Sequence, residues 1–134
     1  LECVAASGVA DRIEVQGHVD AATLRASFRR ARVFCLPSRC ESFGIPAVEA
    51  QVTGTPVVVA AGTAAPEIIG QGGCVVAQGD TEATSAALAH LLDDDVEWIN
   101  RSNAARQNAE RYHWPACSQP LVELLDLFAA EGPA

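Results

Sequence analysis

Two carboxylates with seven residues between them, Glu41 and Glu49, bracket the stretch Glu41-Ser42-Phe43-Gly44-Ile45-Pro46-Ala47-Val48-Glu49. An ionised carboxylate offers two acceptor oxygens and no donor. Held near the edge of a sheet, such a group can accept from two neighbouring hydroxyls at once. Between the two acids the chain passes through a small-residue turn into a helix. The backbone N–H groups of Phe43, Gly44 and Ile45 then stand at a helix start, where amides lack intrahelical partners and favour an oxygen-rich ligand. Gly44 has no Cβ and lets the backbone approach that ligand closely. Ser42 is read first as a helix cap and second as a ligand contact, and the ring of Phe43 as packing.

These groups need a sheet edge to stand on. Val33-Phe34-Cys35-Leu36 is short, branched and aromatic enough for a buried strand, and it runs through Pro37-Ser38 into the turn. That places the turn at the carboxyl edge of a sheet, where open α/β sheets bind ligands. Upstream, Leu1–Ala6 reads as the tail of a helix stopped by Gly8, and Arg12-Ile13-Glu14-Val15 as a first strand ending at Gly17. His18 and Val19 follow that strand, and Asp20 is read as the N-cap of a helix over 21–31 with Leu24 and Phe28 facing inward. Arg25, Arg29, Arg30 and Arg32 form one basic cluster, read first as a solvated helix face and second as a docking surface for a partner domain.

Downstream, the helix from Ile45 closes at Gly54 as a left-handed cap, and Pro56–Ala61 is a continuous apolar strand of the kind that helices cover on both faces. A loop over 62–70 opens into a helical turn carrying Glu67, and Cys74–Val76 is a short strand. Helices are expected over 82–92 and 96–111. After a break at Tyr112–Pro115, a closing helix turns Leu121, Leu124, Leu125 and Phe128 to one face. Strands alternating with helices give a parallel sheet with right-handed crossovers. The expected fold is α/β: one Rossmann-like domain over residues 1–134.

The double-glutamate stretch, with Pro37-Ser38 before it, Gly54-Thr55-Pro56-Val57-Val58 after it and Pro66-Glu67 beyond, resembles the retaining glycosyltransferases of family 4. The resemblance runs from about Arg12 to about Trp114. It implies the C-terminal half of a GT-B fold, in which two Rossmann-like domains enclose the active site. It also implies a reaction: a sugar moves from a nucleotide-sugar donor to an acceptor hydroxyl on a glycan, lipid or small molecule. Glu49 would hold the ribose. Glu41 would bind the donor sugar and support an oxocarbenium-like state, either as nucleophile or beside a front-face attack in which the leaving phosphate takes the acceptor's proton. Ser42, Phe43, Gly44 and Ile45 would line the donor, and His18 and Val19 would meet the nucleotide base through backbone atoms. Where similar enzymes have two glycines before the Pro-Glu pair, this chain has Ala64-Ala65. By position, His113 and Trp114 match the site where the last helix crosses to the partner domain, though packing is their first reading. The resemblance implies no cofactor and no metal ion.

The same resemblance implies an opening strand, a Gly-rich turn, a basic pair for the diphosphate and an N-terminal acceptor domain, none of which falls within the 134 residues. The sequence is therefore read as a donor-binding fragment, inactive alone, of a cytoplasmic enzyme. Any peripheral membrane contact would run through the missing domain. The chain starts at Leu1, contains no Met and has no apolar run near the ~20 residues of a membrane span. A net charge of −8 disfavours nucleic acid and anionic membranes as partners. Five cysteines without a C-x-x-C pair or a histidine at zinc-ligand spacing are read as reduced thiols, mostly core filler, with Cys40 set apart because it adjoins Glu41. Two alternatives stand beside the transferase: a non-catalytic binding module and a sugar-nucleotide epimerase on the same fold.

Overall fold

The computed structural model describes residues 2–131. A short helix α1 (Glu2–Ala5) and a 3-10 turn (Ala10–Arg12) lead into α2 (Ala21–Arg30). Then β1 (Phe34–Leu36), α3 (Ile45–Val52), β2 (Val57–Ala60), α4 (Ala65–Ile69) and β3 (Gly73–Val76) alternate. Helices α5 (Thr81–Asp93) and α6 (Asp95–Ala109), a 3-10 turn (Glu110–Tyr112) and α7 (Trp114–Glu131) complete the order. The three strands form one parallel sheet, β1-β2-β3, with Phe34 opposite Val57 and Val57 opposite Gly73.

The centre of the molecule is β2, where Val57, Val58 and Val59 are fully buried. Side chains alternate across a strand, so Val57 and Val59 join Phe28, Ala47, Ala50, Ala65 and Ile69 beneath α2, α3 and α4. Val58 faces the other way and meets Val76 and Leu91 beneath α5. Each buried valine contributes about 1.5–3 kcal/mol, so this unbroken apolar run is what holds the layers together.

Local signals set the helix limits. Asp20 caps α2 by accepting from the Thr23 amide at 2.7 Å, as the sequence predicts. Gly54 ends α3 at φ +80°, with its amide on the Gln51 carbonyl at 2.8 Å and the Thr55 amide on that of Ala50 at 3.0 Å. This left-handed cap was also legible in the sequence. Asp94 is a junction: it caps α6 by accepting from the amides of Val96 and Glu97, both at 2.9 Å.

Several expectations are corrected. Arg12–Val15 is not a strand: Arg12 ends the 3-10 turn and Ile13–Val15 lies exposed. An extended segment becomes a strand only beside a partner, and among the described residues none pairs with it. Arg32 does not belong to a solvated helix face. It lies beyond α2, donates to the Leu91 carbonyl at 3.2 Å, pairs with Asp95 and sits 5.2 Å from the Trp98 ring centre. Of the five cysteines only Cys35 and Cys74 are partly buried, and burial raises both thiol pKa values; Cys3, Cys40 and Cys117 are exposed. The closing helix begins at Trp114, inside the expected break. Its Leu121, Leu124, Leu125 and Phe128 are exposed because no described element packs along that face.

Candidate functional site

Loop 37–44 leaves β1 at the carboxyl edge of the sheet and delivers the chain to α3. Glu41 is half-buried there. Its carboxylate lies 3.4 Å from the Phe43 amide, and its carbonyl accepts from Ala64, at the head of α4, at 3.3 Å. Gly44 is the N-cap of α3, at φ +92° and ψ +45°. A Cβ added there would meet Glu41 Cγ at 3.6 Å and Ala65 Cβ at 3.8 Å, which is ordinary contact. What requires glycine is therefore the left-handed backbone rather than crowding.

That cap corrects one expectation. Ser42 does not cap α3; the position falls to Gly44, which has no side chain to offer. With Pro46 in the first turn lacking an N–H, the amides of Gly44 and Ile45 remain without acceptors among the described residues. These are the donors that sequence reasoning placed there. Among the described residues Phe43 makes no hydrogen bond beyond the long one to Glu41; its ring meets that of Tyr112 edge-on, with centroids 5.6 Å apart.

Glu49 projects from α3 into solvent on the same face as Ile45, four residues earlier, and makes no hydrogen bond or ion pair among the described residues. A cavity of about 310 Å³ adjoins it, lined by Phe43, Ile45, Val48, Glu49, Tyr112 and Trp114 among others. Glu67 lies in the first turn of α4, exposed. The fold thus brings Glu41, Gly44, Ile45 and Glu49 to one sheet edge. His18 is exposed and Val19 half-buried just before α2, and no hydrogen bond among the described residues joins either to the Glu41 loop. Trp114 is 80% exposed, so the packing expected of it is not present among the described residues.

Sequence reasoning missed what holds this edge still. Gln51 is fully buried in α3; its amide donates to the Ile69 carbonyl at 2.8 Å and accepts from Asn108 Nδ2 at 2.7 Å. Asn108 also donates to the Ile68 carbonyl at 2.8 Å, as does the Tyr112 hydroxyl at 3.0 Å. Arg111 donates to Asn108 Oδ1 at 3.2 Å. A polar brace from α6 and its trailing turn therefore fastens α3 to the end of α4. A Cβ on Gly72 would collide with the Gln51 amide, so the chain passes close there. A signal existed: Gln51 falls on the inward stripe Ala47–Ala50–Gln51 of α3, where an unexplained polar residue asks for a partner.

Arg39 was also unassigned. It is exposed at the same edge and lines a second cavity of about 400 Å³ on the α5 face, with Pro37, Ala60, Val76, Thr84 and Leu88. Its carbonyl accepts from Gln78 Nε2 at 2.7 Å, which ties the loop after β1 to the loop after β3. Among the described residues no group of three or more His, Cys, Asp or Glu could hold a metal ion, and no helix is long and apolar enough to cross a membrane.

The chain matches the family model described as glycosyl transferases group 1 over residues 1–94. It is 42% identical over 112 residues to a D-inositol 3-phosphate glycosyltransferase of Corynebacterium urealyticum, an alignment covering 80% of this chain and 26% of that one. It is 35% identical over 130 residues to a phosphatidyl-myo-inositol mannosyltransferase of Mycobacterium leprae, covering 95% of this chain and 35% of that one. The chain therefore spans about a quarter to a third of the length of these relatives. Among solved structures, sucrose-phosphate synthase from Thermosynechococcus elongatus superposes with a TM-score of 0.86 at 25% identity, covering 98% of this chain and 34% of that one.

Proposed function

The chain belongs to the group 1 glycosyltransferase family, and on that premise we propose that it is the donor-binding domain of a retaining enzyme that moves a sugar from a nucleoside diphosphate to an acceptor hydroxyl. The observation that carries this reading is the pairing of two unpaired amides, Gly44 and Ile45, with two flanking carboxylates, Glu41 and Glu49, at one sheet edge. A sugar nucleotide needs acceptors for its hydroxyls and donors for its phosphates, and this edge offers both. Glu49 takes the ribose hydroxyls. Glu41 takes hydroxyls of the donor sugar and, as the glycosidic bond to phosphate stretches, lends its charge to the oxocarbenium-like carbon. The amides of Gly44 and Ile45 face oxygens of the sugar or the diphosphate without reorganising, since α3 already orients them.

In this reading the domain is one half of a cleft. A strand alongside β1, a basic pair for the diphosphate and an acceptor-binding domain complete it, and the domain alone performs no turnover. The donor is read from the cytoplasmic side, without a metal ion. A mannosyl group, named for the Mycobacterium leprae relative, is the first sugar to try. An inositol-bearing acceptor, common to the names of both curated relatives, is the first acceptor.

Calorimetric titration of UDP, GDP and ADP into wild type and Glu49→Ala tests the proposal. One nucleotide should bind, and the variant should lose about 1.5–3 kcal/mol, the worth of a charged hydrogen-bond acceptor. At about 1.4 kcal/mol per decade that is roughly a ten- to hundredfold weaker Kd. Binding indifferent to Glu49→Ala would remove the ribose assignment.

A further inference from the structure

Two segments that the sequence keeps apart meet at this edge: the Glu41–Ile45 loop before α3, which carries most of the candidate site, and the 62–69 stretch that carries Glu67. One later residue, Tyr112, touches both. The Tyr112 hydroxyl donates to the Ile68 carbonyl at 3.0 Å, on the last turn of α4. Its ring meets Phe43 edge-on at 5.6 Å with the planes at 85°. Phe43 lies between Glu41 and Gly44, so the ring contact falls on the residue flanked by the candidate sugar ligand and the open amides.

Tyr112 is itself held. The Arg111 guanidinium lies 5.6 Å from its ring centre, and Asn108 donates at 2.8 Å to the same Ile68 carbonyl, filling that oxygen's second lone pair. The two segments also touch directly, through the Ala64 amide on the Glu41 carbonyl at 3.3 Å. By contrast, Phe43 is 40% exposed and outside the apolar core clusters, so the ring pair bears on the loop rather than on the core.

We infer that Tyr112 is a positioning residue for donor binding: its hydroxyl fixes the end of α4 and its ring fixes Phe43, so that Glu41 and the Gly44 and Ile45 amides meet the donor in one preset arrangement against α4. The inference rests on the donor-site reading above. It assigns Tyr112 no contact with substrate; its effect passes through Phe43 and Ile68.

The test uses the full-length protein with UDP, GDP and ADP as probes, in wild type, Tyr112→Phe, Tyr112→Leu, Phe43→Leu, the double Phe43→Leu/Tyr112→Leu variant, and Glu49→Ala. Tyr112→Phe keeps the ring pair and loses one hydrogen bond of ordinary strength, so nucleotide affinity should fall about fivefold. Tyr112→Leu loses the ring pair as well and should fall severalfold further. Because part of that loss passes through Phe43, the double variant should lose less than the product of the two single losses. All Kd values are taken well below the midpoint of thermal unfolding, with equal far-UV circular dichroism confirming equal folded fractions.

A melting point lowered by Tyr112→Phe with an unchanged Kd would make Tyr112 merely structural and overturn the inference. Independent, multiplicative losses in the double variant would overturn it too. If Glu49→Ala abolishes binding while Tyr112→Phe binds as wild type does, the inference alone fails. If Glu49→Ala binds normally, or no nucleotide binds the wild type, the donor-site reading fails and takes the inference with it.

Discussion

Replacing Gln51 by leucine should cost this domain about 2–3 kcal/mol of folding free energy, and the figure follows from the atoms involved. Gln51 is fully buried and makes two bonds, to the Ile69 carbonyl at 2.8 Å and from Asn108 Nδ2 at 2.7 Å. Removing two neutral hydrogen bonds costs about 2 kcal/mol. The partners are not equally harmed. The Ile69 carbonyl keeps the Gly72 amide at 3.0 Å, whereas the NH2 group of Asn108 keeps only its bond to Ile68 and turns its other N–H toward hydrocarbon. That stranded donor adds about 1–2 kcal/mol. Leucine, of similar volume, returns about 1 kcal/mol through its extra apolar surface. Urea denaturation followed by far-UV circular dichroism measures the difference, with Gln71→Leu at an exposed position as the control, expected within about 0.5 kcal/mol of wild type. For a domain of this size the melting point should fall by roughly 8–12 °C. A loss for Gln51→Leu below about 1 kcal/mol, or equal to the control, would mean that the brace between α3 and α6 does not bear on stability.

Two further changes have defined outcomes. Gly44→Ala has room for its Cβ but not the backbone: at φ +92° the strain should cost about 1–2 kcal/mol, read as a lower urea midpoint at unchanged slope. The helix caps set an acid limit. Hydrogen bonds from the Thr23 amide to Asp20, and from the Glu97 amide to Asp94, hold both carboxyl groups below their ordinary value. A carboxylate depressed in the folded state contributes stability above its unfolded pKa and loses it as pH falls through the folded one, so the melting point should start to drop below about pH 4. Asp20→Asn and Asp94→Asn, which keep an oxygen at the cap, should make that drop shallower; a profile identical to wild type would exclude the caps as its source.

What was legible in the sequence is what short-range chemistry determines. Val57–Val59 could only be a buried strand. Asp20 preceding Ala21–Ala22–Thr23 announced a cap, and Gly54 announced a stop. The turn into α3 was legible for the same reason, since Gly44 and Pro46 dictate its backbone within three residues. The errors lie where a partner at long range decides. Ile13–Val15 alternates like a strand but has no described strand beside it. Arg32 reads as one more basic residue of a cluster, until Asp95 and Trp98, more than sixty positions away, claim its guanidinium and its carbonyl. The exposed face of α7 has the spacing of a buried one, and periodicity does not say whether a cover is present.

The same division runs through the candidate site and says where its weak points lie. The candidate groups, Glu41, the Gly44 and Ile45 amides and Glu49, sit within nine consecutive residues and need only one turn and one helix to come to the same edge. Their rigidity comes from elsewhere. Gln51 reaches Asn108 across 57 positions and Tyr112 reaches Ile68 across 44, so the second half of the domain holds in place what the first half supplies. A misplacement of about 1 Å can cost a positioned reaction on the order of a hundredfold, so a loop fixed only by its own turn would serve the proposed transfer poorly. On the proposed reading, substitutions between Asn108 and Tyr112 should therefore disturb donor binding although that reading gives none of these residues a contact with the donor. A search for function confined to the double-glutamate stretch would miss them.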